Sequence, residues 1–449
     1  MAKISFFGGA QTVTGACHLL EDDSTKILVD CGLFQGSRFN EKKNYDDFPF
    51  DPKTIDALFV THAHMDHTGR IPKLVKDGFN GVIYSTPPTK DFASVMLEDS
   101  LGILTKEAES RGEKVFYAKS DIEKTLSLWK TIEYKELVTT GDFKVRLLNA
   151  GHILGSAMPE VSFEDKKILF TGDLGNTPNP LLPPPLKVKG LTHLIIESAY
   201  GDRNHEDLKQ AAPTIERAVE DIVHNGGALI MPSFALERTQ AVLFKLNDLV
   251  EKGRVPELPI FVDSPLAIKA TAIYKKYPRF YSAKARAILK TGDDLFRFPN
   301  LHFTKLTRES KSINGVQNPK MIIAGAGMMQ GGRILHHAVR YLPDPNSTII
   351  FIGYQAAGSL GRRLVEGERS IKMMGKNISV NADVRIIHGY SAHADHDALL
   401  DFTDSSRETL KQVFVVQGEP RATMFLAQRI KDYLGIRAKA PAFGETITL

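Results

Sequence analysis

Cysteine, long apolar runs and a dominant charge are what this sequence has little of. Only Cys17 and Cys31 occur among 449 residues. Both flank runs expected to be strands, which reads as two reduced core thiols and excludes a disulfide framework. The opening stretch MAKISFFGGAQ lacks the extended apolar segment of a secretory leader, and no later run approaches the roughly 20 apolar residues that span a bilayer. A cytoplasmic protein with no membrane partner is the resulting expectation. The formal net charge is +4, a mild basic excess that suits a polyanionic partner without requiring one. Internal repeats and low-complexity tracts are also missing.

What remains is an ordinary globular composition, 42% hydrophobic and 24% charged, on a chain too long for one compact core. Two domains are therefore expected. Short apolar runs alternate with helical spacing in the first part: strands over 3–10, 16–20, 26–30, 57–60 and 82–85, and helices over 71–77, 89–106 and 120–130. This is an α/β layered pattern. Further strands end at His152, Asp173 and Glu197, with the proline-rich 178–185 as a rigid connection. From about residue 203 the theme is buried strands (228–233, 260–264, 321–325, 347–353) between helices at 206–225, 237–252 and 334–341, a second α/β unit with a parallel sheet. Its glycine-rich 324–333 loop precedes a helix and is read as a tight turn, although such loops can meet phosphate. Strands over 384–388 and 413–419 and a helix over 422–434 close the chain.

The densest chemistry lies in Thr61-His62-Ala63-His64-Met65-Asp66-His67, where the 57–60 strand ends. His62 and His64 are two apart, so on an extended segment they face the same way. Asp66 and His67 follow after a turn and can face elsewhere. This points to a histidine pair for one metal and an Asp/His pair for a second, with zinc favoured over manganese or iron. A solvated histidine-rich loop is the alternative. Against it, Asp30, His62, His152 and Asp173 all stand at strand ends, where sites of α/β folds assemble. A second histidine-rich stretch runs from His388 through His393 to His396. His18 is read as structural, though close in sequence to the early strand ends.

HAHMDH, taken with Asp30, His152 and Asp173, resembles the metallo-β-lactamase fold. Glu197 in ESAYGDR, the central α/β unit and SAHAD around His393 look like its β-CASP branch. That branch includes the nuclease subunit of the pre-mRNA cleavage and polyadenylation factor, RNase J and shorter prokaryotic ribonucleases, and the likeness covers essentially the whole chain. The fold it implies is α/β: a metallo-β-lactamase αββα sandwich over 1–202 and 379–449, with a β-CASP α/β domain inserted at 203–378. It implies two zinc ions. His62, His64 and His152 would hold the first, Asp66 and His67 the second, and Asp173 would bridge them. Asp30 would orient a ligand histidine or the bridging water. Glu197 would hydrogen-bond His393, which would protonate the leaving oxygen or hold the scissile phosphate. Ser391 and Arg333 are further phosphate candidates, as are Arg362 and Arg363. A homodimer is the implied assembly.

One position departs from the resemblance. The family's ribonucleases usually carry a histidine in the motif read here as Val415–Glu419, and this chain has Gln417. A neutral amide is a weak zinc ligand, so the second site should be looser, filled by water or by another divalent metal. His388 and His396 are near enough in sequence to substitute. The expected activity is zinc-dependent cleavage of single-stranded RNA for processing or decay, endonucleolytic, with 5′-to-3′ exonuclease action as an addition. Competing readings are an RNA-binding protein with catalysis impaired by Gln417, a DNA-directed β-CASP nuclease and a small-molecule metallo-hydrolase. The competent residues at every other position count against the first, and the inserted unit against the last.

Overall fold

A computed structural model describes residues 1–205, 211–353, 355–356, 358–387 and 391–449. They form two compact units, Met1–Asn204 with His393–Leu449, and His205–Ala392.

The first unit contains two seven-stranded sheets. One runs Thr446–Thr448, Lys3–Phe6, His18–Glu21, Lys26–Val29, Ala57–Phe59, Val82–Ser85, Trp129–Thr131. Its strands are antiparallel up to Lys26–Val29 and parallel beyond. The other runs Ala438–Lys439, Gln412–Val416, His193–Glu197, Lys166–Phe170, Ala157–Phe163, Phe143–Asn149, Leu137–Thr140. Side chains alternate along its central strands. Phe170, Ile195, Phe414 and Val416 join Phe6, Val29 and Phe59 between the sheets. Leu169, Leu194, Val413 and Val415 turn outward against Leu399, Phe402, Leu426 and Ile430 of the flanking helices. These strands are buried on both faces, which is why they read as unbroken apolar runs. Each such side chain contributes roughly 1.5–3 kcal/mol by burial. Helix Pro87–Arg111 packs on Trp129–Thr131 at the other side, giving the αββα order.

Two elements differ from expectation. The long helix begins at Pro87, because prolines in a first turn forfeit no hydrogen bond, and it ends at Gly112 in the left-handed conformation. The 120–130 helix stops at Ser127, and Trp129–Thr131 is an edge strand instead. There the Trp129 indole N–H donates to Ser85 Oγ at 2.8 Å, and strand pairing overrides helical spacing.

The second unit is a six-stranded, wholly parallel sheet in the order Leu301–Phe303, Ile260–Asp263, Lys320–Ala324, Ala228–Pro232, Thr348–Ile352, Asp383–Ile387. A small hairpin, Ser370–Met373 with Lys376–Ser379, accompanies it. The compact unit runs beyond the boundary expected after residue 378. Asp383–Ile387 pairs with Thr348–Ile352, and the unit extends to Ala392. An apolar run announces a strand but not its partner, which distant hydrogen bonds choose. The helix expected over 206–225 is seen as Ala211–Asn225, with 206–210 outside the described residues. Among the described residues no helix is long and apolar enough to cross a membrane.

Candidate metal centre

The strands Lys26–Val29 and Ala57–Phe59 lie parallel and in register, so their ends bring Asp30 beside Thr61. Asp30 adopts a left-handed φ of 61°, which Asp tolerates better than most residues. Its Oδ1 accepts the Thr61 backbone N–H at 2.8 Å and its Oδ2 accepts the Thr61 hydroxyl at 2.7 Å. The Thr61 hydroxyl has spent its hydrogen on a carboxylate, so Thr61 Oγ, 3.0 Å from His62 Nδ1, accepts the Nδ1–H of that ring. His62 Nε2 is left bare. Asp30 Oδ2 also takes Nδ1–H of His67 at 2.7 Å, which aims His67 Nε2 at the pocket. Thr61 is the functional residue that sequence reasoning missed; its place just before the histidines was the available signal. The turn that carries Asp66 and His67 closes tightly, with Cys31 N–H donating to His67 O at 2.9 Å. A Cβ on Gly32 would lie 1.5 Å from Asp66 O, so only glycine fits there. Asp30→Asn is expected to weaken metal binding by about 10–100-fold, the usual effect of losing a partner that orients a ligand. Chelator competition measures it, and an unchanged affinity would show that these rings need no such anchor.

His62 Nε2 lies 3.1 Å from His64 Nδ1, and His152 Nε2 lies 3.3 Å from the same atom. Asp173 Oδ2 is 3.3 Å from His62 Nε2 and 3.4 Å from His152 Nε2. Donors about 2.05 Å from a tetrahedral ion stand about 3.3 Å apart. The three rings are nearly perpendicular to one another, at 79–82°, so their nitrogens converge edge-on. The donor set, three imidazoles and a carboxylate within 4.8 Å of one another, fits zinc. Burial holds His62, His64 and His152 below the ordinary imidazole range, in the neutral form that can ligate. Burial opposes charge on Asp173, but His67, His62 and His393 outweigh it and hold the carboxyl well below its usual range.

Asp173 turns its other oxygen, Oδ1, toward His67 Nε2 at 3.3 Å. Asp66 Oδ2 is 3.9 Å from His67 Nε2. Gln417, buried, places Nε2 3.0 Å from both His67 Nε2 and Asp173 Oδ1. On the opposite side, Glu197 ends the strand His193–Glu197 and is fully buried. Its oxygens accept the backbone N–H of Leu174 at 2.6 Å and of Ala199 at 3.2 Å. His393 Nδ1 stands 3.2 and 3.3 Å from the two Glu197 oxygens and 3.9 Å from Asp173 Oδ2. Burial disfavours protonation of His393, yet Glu197 and Asp173 outweigh it and raise the ring to about 9.

Asp30, His62, His64, Asp66, His67, His152, Asp173, Glu197, His393 and Gln417 thus meet within the first unit. Ser391 and Arg333 lie in the second. Arg333 is already engaged, with Nη1 donating to Asp263 Oδ1 at 2.7 Å and Thr304 O at 3.0 Å and Nη2 to Lys305 O at 3.0 Å. The guanidinium is thus a cross-link within the second unit. Arg362 and Arg363 pair with Glu366 and Glu368. Among the described residues, the groups placed to hold a metal do not include His396, whose Nδ1–H donates to Gly201 O at 2.7 Å, and His388 lies outside the described residues. His18 packs between Phe6 and Phe170, where burial pushes it down to about 4.

Comparison with known proteins matches residues 11–221 to the metallo-beta-lactamase superfamily, 239–364 to the Beta-Casp domain, and 377–441 to the Zn-dependent metallo-hydrolase RNA specificity domain. Ribonuclease TTHA0252 of Thermus thermophilus is 35% identical over 446 residues, covering 99% of each chain. The RNase J-like protein of Methanocaldococcus jannaschii is 32% identical over the full length of both. Transcription termination factor FttA of Methanosarcina mazei is 32% identical over all of this chain and 71% of its own. A crystal structure of a protein of unknown function from Enterococcus faecalis V583 superposes with a TM-score of 0.58 at 12% identity over the whole of both chains, a likeness of fold alone. With relatives matched end to end and the fold in agreement, this chain belongs to the β-CASP ribonuclease family of the metallo-β-lactamase superfamily.

Proposed function

We propose that this protein is a zinc-dependent ribonuclease that hydrolyses internal phosphodiester bonds of single-stranded RNA. The observation that carries the reading is the convergence of His62 Nε2, His64 Nδ1, His152 Nε2 and Asp173 Oδ2 at tetrahedral spacing, beside a carboxylate-held histidine. The match of residues 377–441 to an RNA specificity domain, and relatives named as ribonucleases, support RNA over DNA or a small molecule. Bound zinc would supply Lewis acidity, acidifying a water and neutralising charge on the phosphate. The chain's own residues do the rest. Asp30 and Thr61 set the tautomers of His62 and His67. Glu197, pinned by two backbone amides, accepts Nδ1–H of His393. Raised to about 9, His393 carries a second proton at neutral pH, on Nε2, available to the departing oxygen.

The test is end-labelled single-stranded RNA incubated with zinc-loaded and manganese-loaded protein. Internal cleavage is expected, and His393→Ala should lower kcat by about 10²–10⁴-fold. Its metal content should stay unchanged. No cleavage of RNA by folded, metal-loaded protein with either metal would overturn the proposal in favour of an RNA-binding role.

A further inference from the structure

The two halves of the pocket are unequal. On one side four donor atoms stand 3.1–3.4 Å from their neighbours, as one tetrahedral ion requires. On the other the donors are Asp66, His67 and the Oδ1 of Asp173, and Asp66 Oδ2 is 3.9 Å from His67 Nε2. That is wider than the about 3.3 Å separating ligands of one tetrahedral zinc. Between them sits Gln417.

We propose that this chain works with a single metal ion, and that the Gln417 amide stands in for a second, tying His67 to Asp173 with its two hydrogens. A carboxylate facing an amide can only accept, so Asp173 Oδ1, 3.0 Å away, fixes which end of the Gln417 amide is the NH2. The other amide hydrogen then points at His67 Nε2, also 3.0 Å away. In the neutral ring, whose Nδ1–H Asp30 already holds, Nε2 carries the lone pair that accepts. An N–H donor cannot ligate a metal. For Gln417 to offer its oxygen instead, the side chain must turn over and give up both bonds, one of them to a charged group.

The backbone and the start of the side chain are held in place. Gln417 sits at the end of the strand Gln412–Val416 in a left-handed conformation, φ 52°, and its N–H donates to Gly9 O at 2.6 Å. Its Cγ lies 3.0 Å from where a Cβ on Gly9 would be, so the side chain runs closely over Gly9 and is 4% exposed. One feature pulls the other way. The carboxylates of Asp30, Asp66 and Asp173 surround His67 and favour positive charge there, so the amide has to hold its place against a cation.

The inference rests on the proposed first metal site, and counting metal separates the two. The native protein is dialysed against micromolar zinc and its metal measured by elemental analysis. About one zinc per chain is expected. Titration with Co(II) in place of zinc should raise the visible ligand-field absorption up to one equivalent and no further. Gln417→His replaces the amide by a ligand and should bring a second equivalent, with a second rise in absorption. Two tightly held ions in the native protein would overturn the inference, as would a Gln417→His variant with native circular dichroism that still stops at one. A count near zero would overturn the first site and this inference with it. The Co(II) titration of the native chain needs no variant, so misfolding of Gln417→His leaves the test intact.

Discussion

Replacing His64 by alanine is expected to empty the three-histidine site and to lower RNA hydrolysis by more than about a hundredfold, since removing even a ligand's hydrogen-bond partner costs up to that much. His64 Nδ1 is the hub of the set, the atom within 3.3 Å of both His62 Nε2 and His152 Nε2. Its removal leaves two imidazoles and one carboxylate, an open coordination that water would have to complete. His64 is also only partly buried, whereas His62 and His152 are fully so. The alanine variant therefore disturbs packing less than substitution of the other two would. Metal per chain and kcat/KM are measured together. Full activity with metal retained would place the chemistry elsewhere in the molecule.

The largest effect on stability is expected far from that pocket, at Asp263 in the second unit. Asp263 ends the strand Ile260–Asp263 and is fully buried. Its Oδ1 accepts from Thr304 Oγ1 at 2.7 Å and Arg333 Nη1 at 2.7 Å. Its Oδ2 accepts from Ser310 Oγ at 2.6 Å and from His337 Nε2 at 2.8 Å. Asp263→Ala strands all four donors, one of them a guanidinium, and should cost about 3–5 kcal/mol, as breaking a buried ion pair from one side does. Urea denaturation measures it, and a loss under about 1 kcal/mol would mean that water replaces the carboxylate easily. The pH dependence has a definite sign. Burial disfavours the charge, but the bonds from His337, Ser310, Thr304 and Arg333 outweigh it and hold the carboxyl below its ordinary value. A depressed carboxylate stabilises fully above the unfolded pKa of about 3.9 and progressively less as acid protonates it. The wild type should thus lose this contribution below about pH 4, and the difference from Asp263→Ala should shrink there.

Some of this could be read from the sequence and some could not, for physical reasons. His62 to His67 follow a strand whose neighbours in the sheet are the strands before and after it in the chain, and the ligand types fall within six residues, so their chemistry was visible locally. His152 and Asp173 were visible because a glycine and a strand end mark each. The sheet of Asp383–Ile387 was not legible, because the run looks the same whichever sheet it joins; only its pairing with Thr348–Ile352 decides. The cross-link that Arg333 makes was hidden for a related reason. A basic residue after glycines suits phosphate, but the Asp263 that claims it is seventy positions away in sequence. Gln417 was recognisable as a departure, yet which end of its amide faces the pocket depends on Asp173 and Gly9, contacts that no local pattern encodes.

The strand Gln412–Val416 completes the first unit's sheet beside His193–Glu197, although the whole second unit intervenes in the chain. During synthesis the residues proposed to hold the metal, His62, His64, His152 and Asp173, therefore all emerge before residue 205, while His393 and Gln417 emerge only after Ala392. Domains tend to fold as they leave the ribosome, N-terminal part first. The residues proposed to hold the ion and the histidine proposed to pass a proton to a severed strand are thus made on either side of an entire compact unit, and the sheets of the first unit close only when the last strands are made.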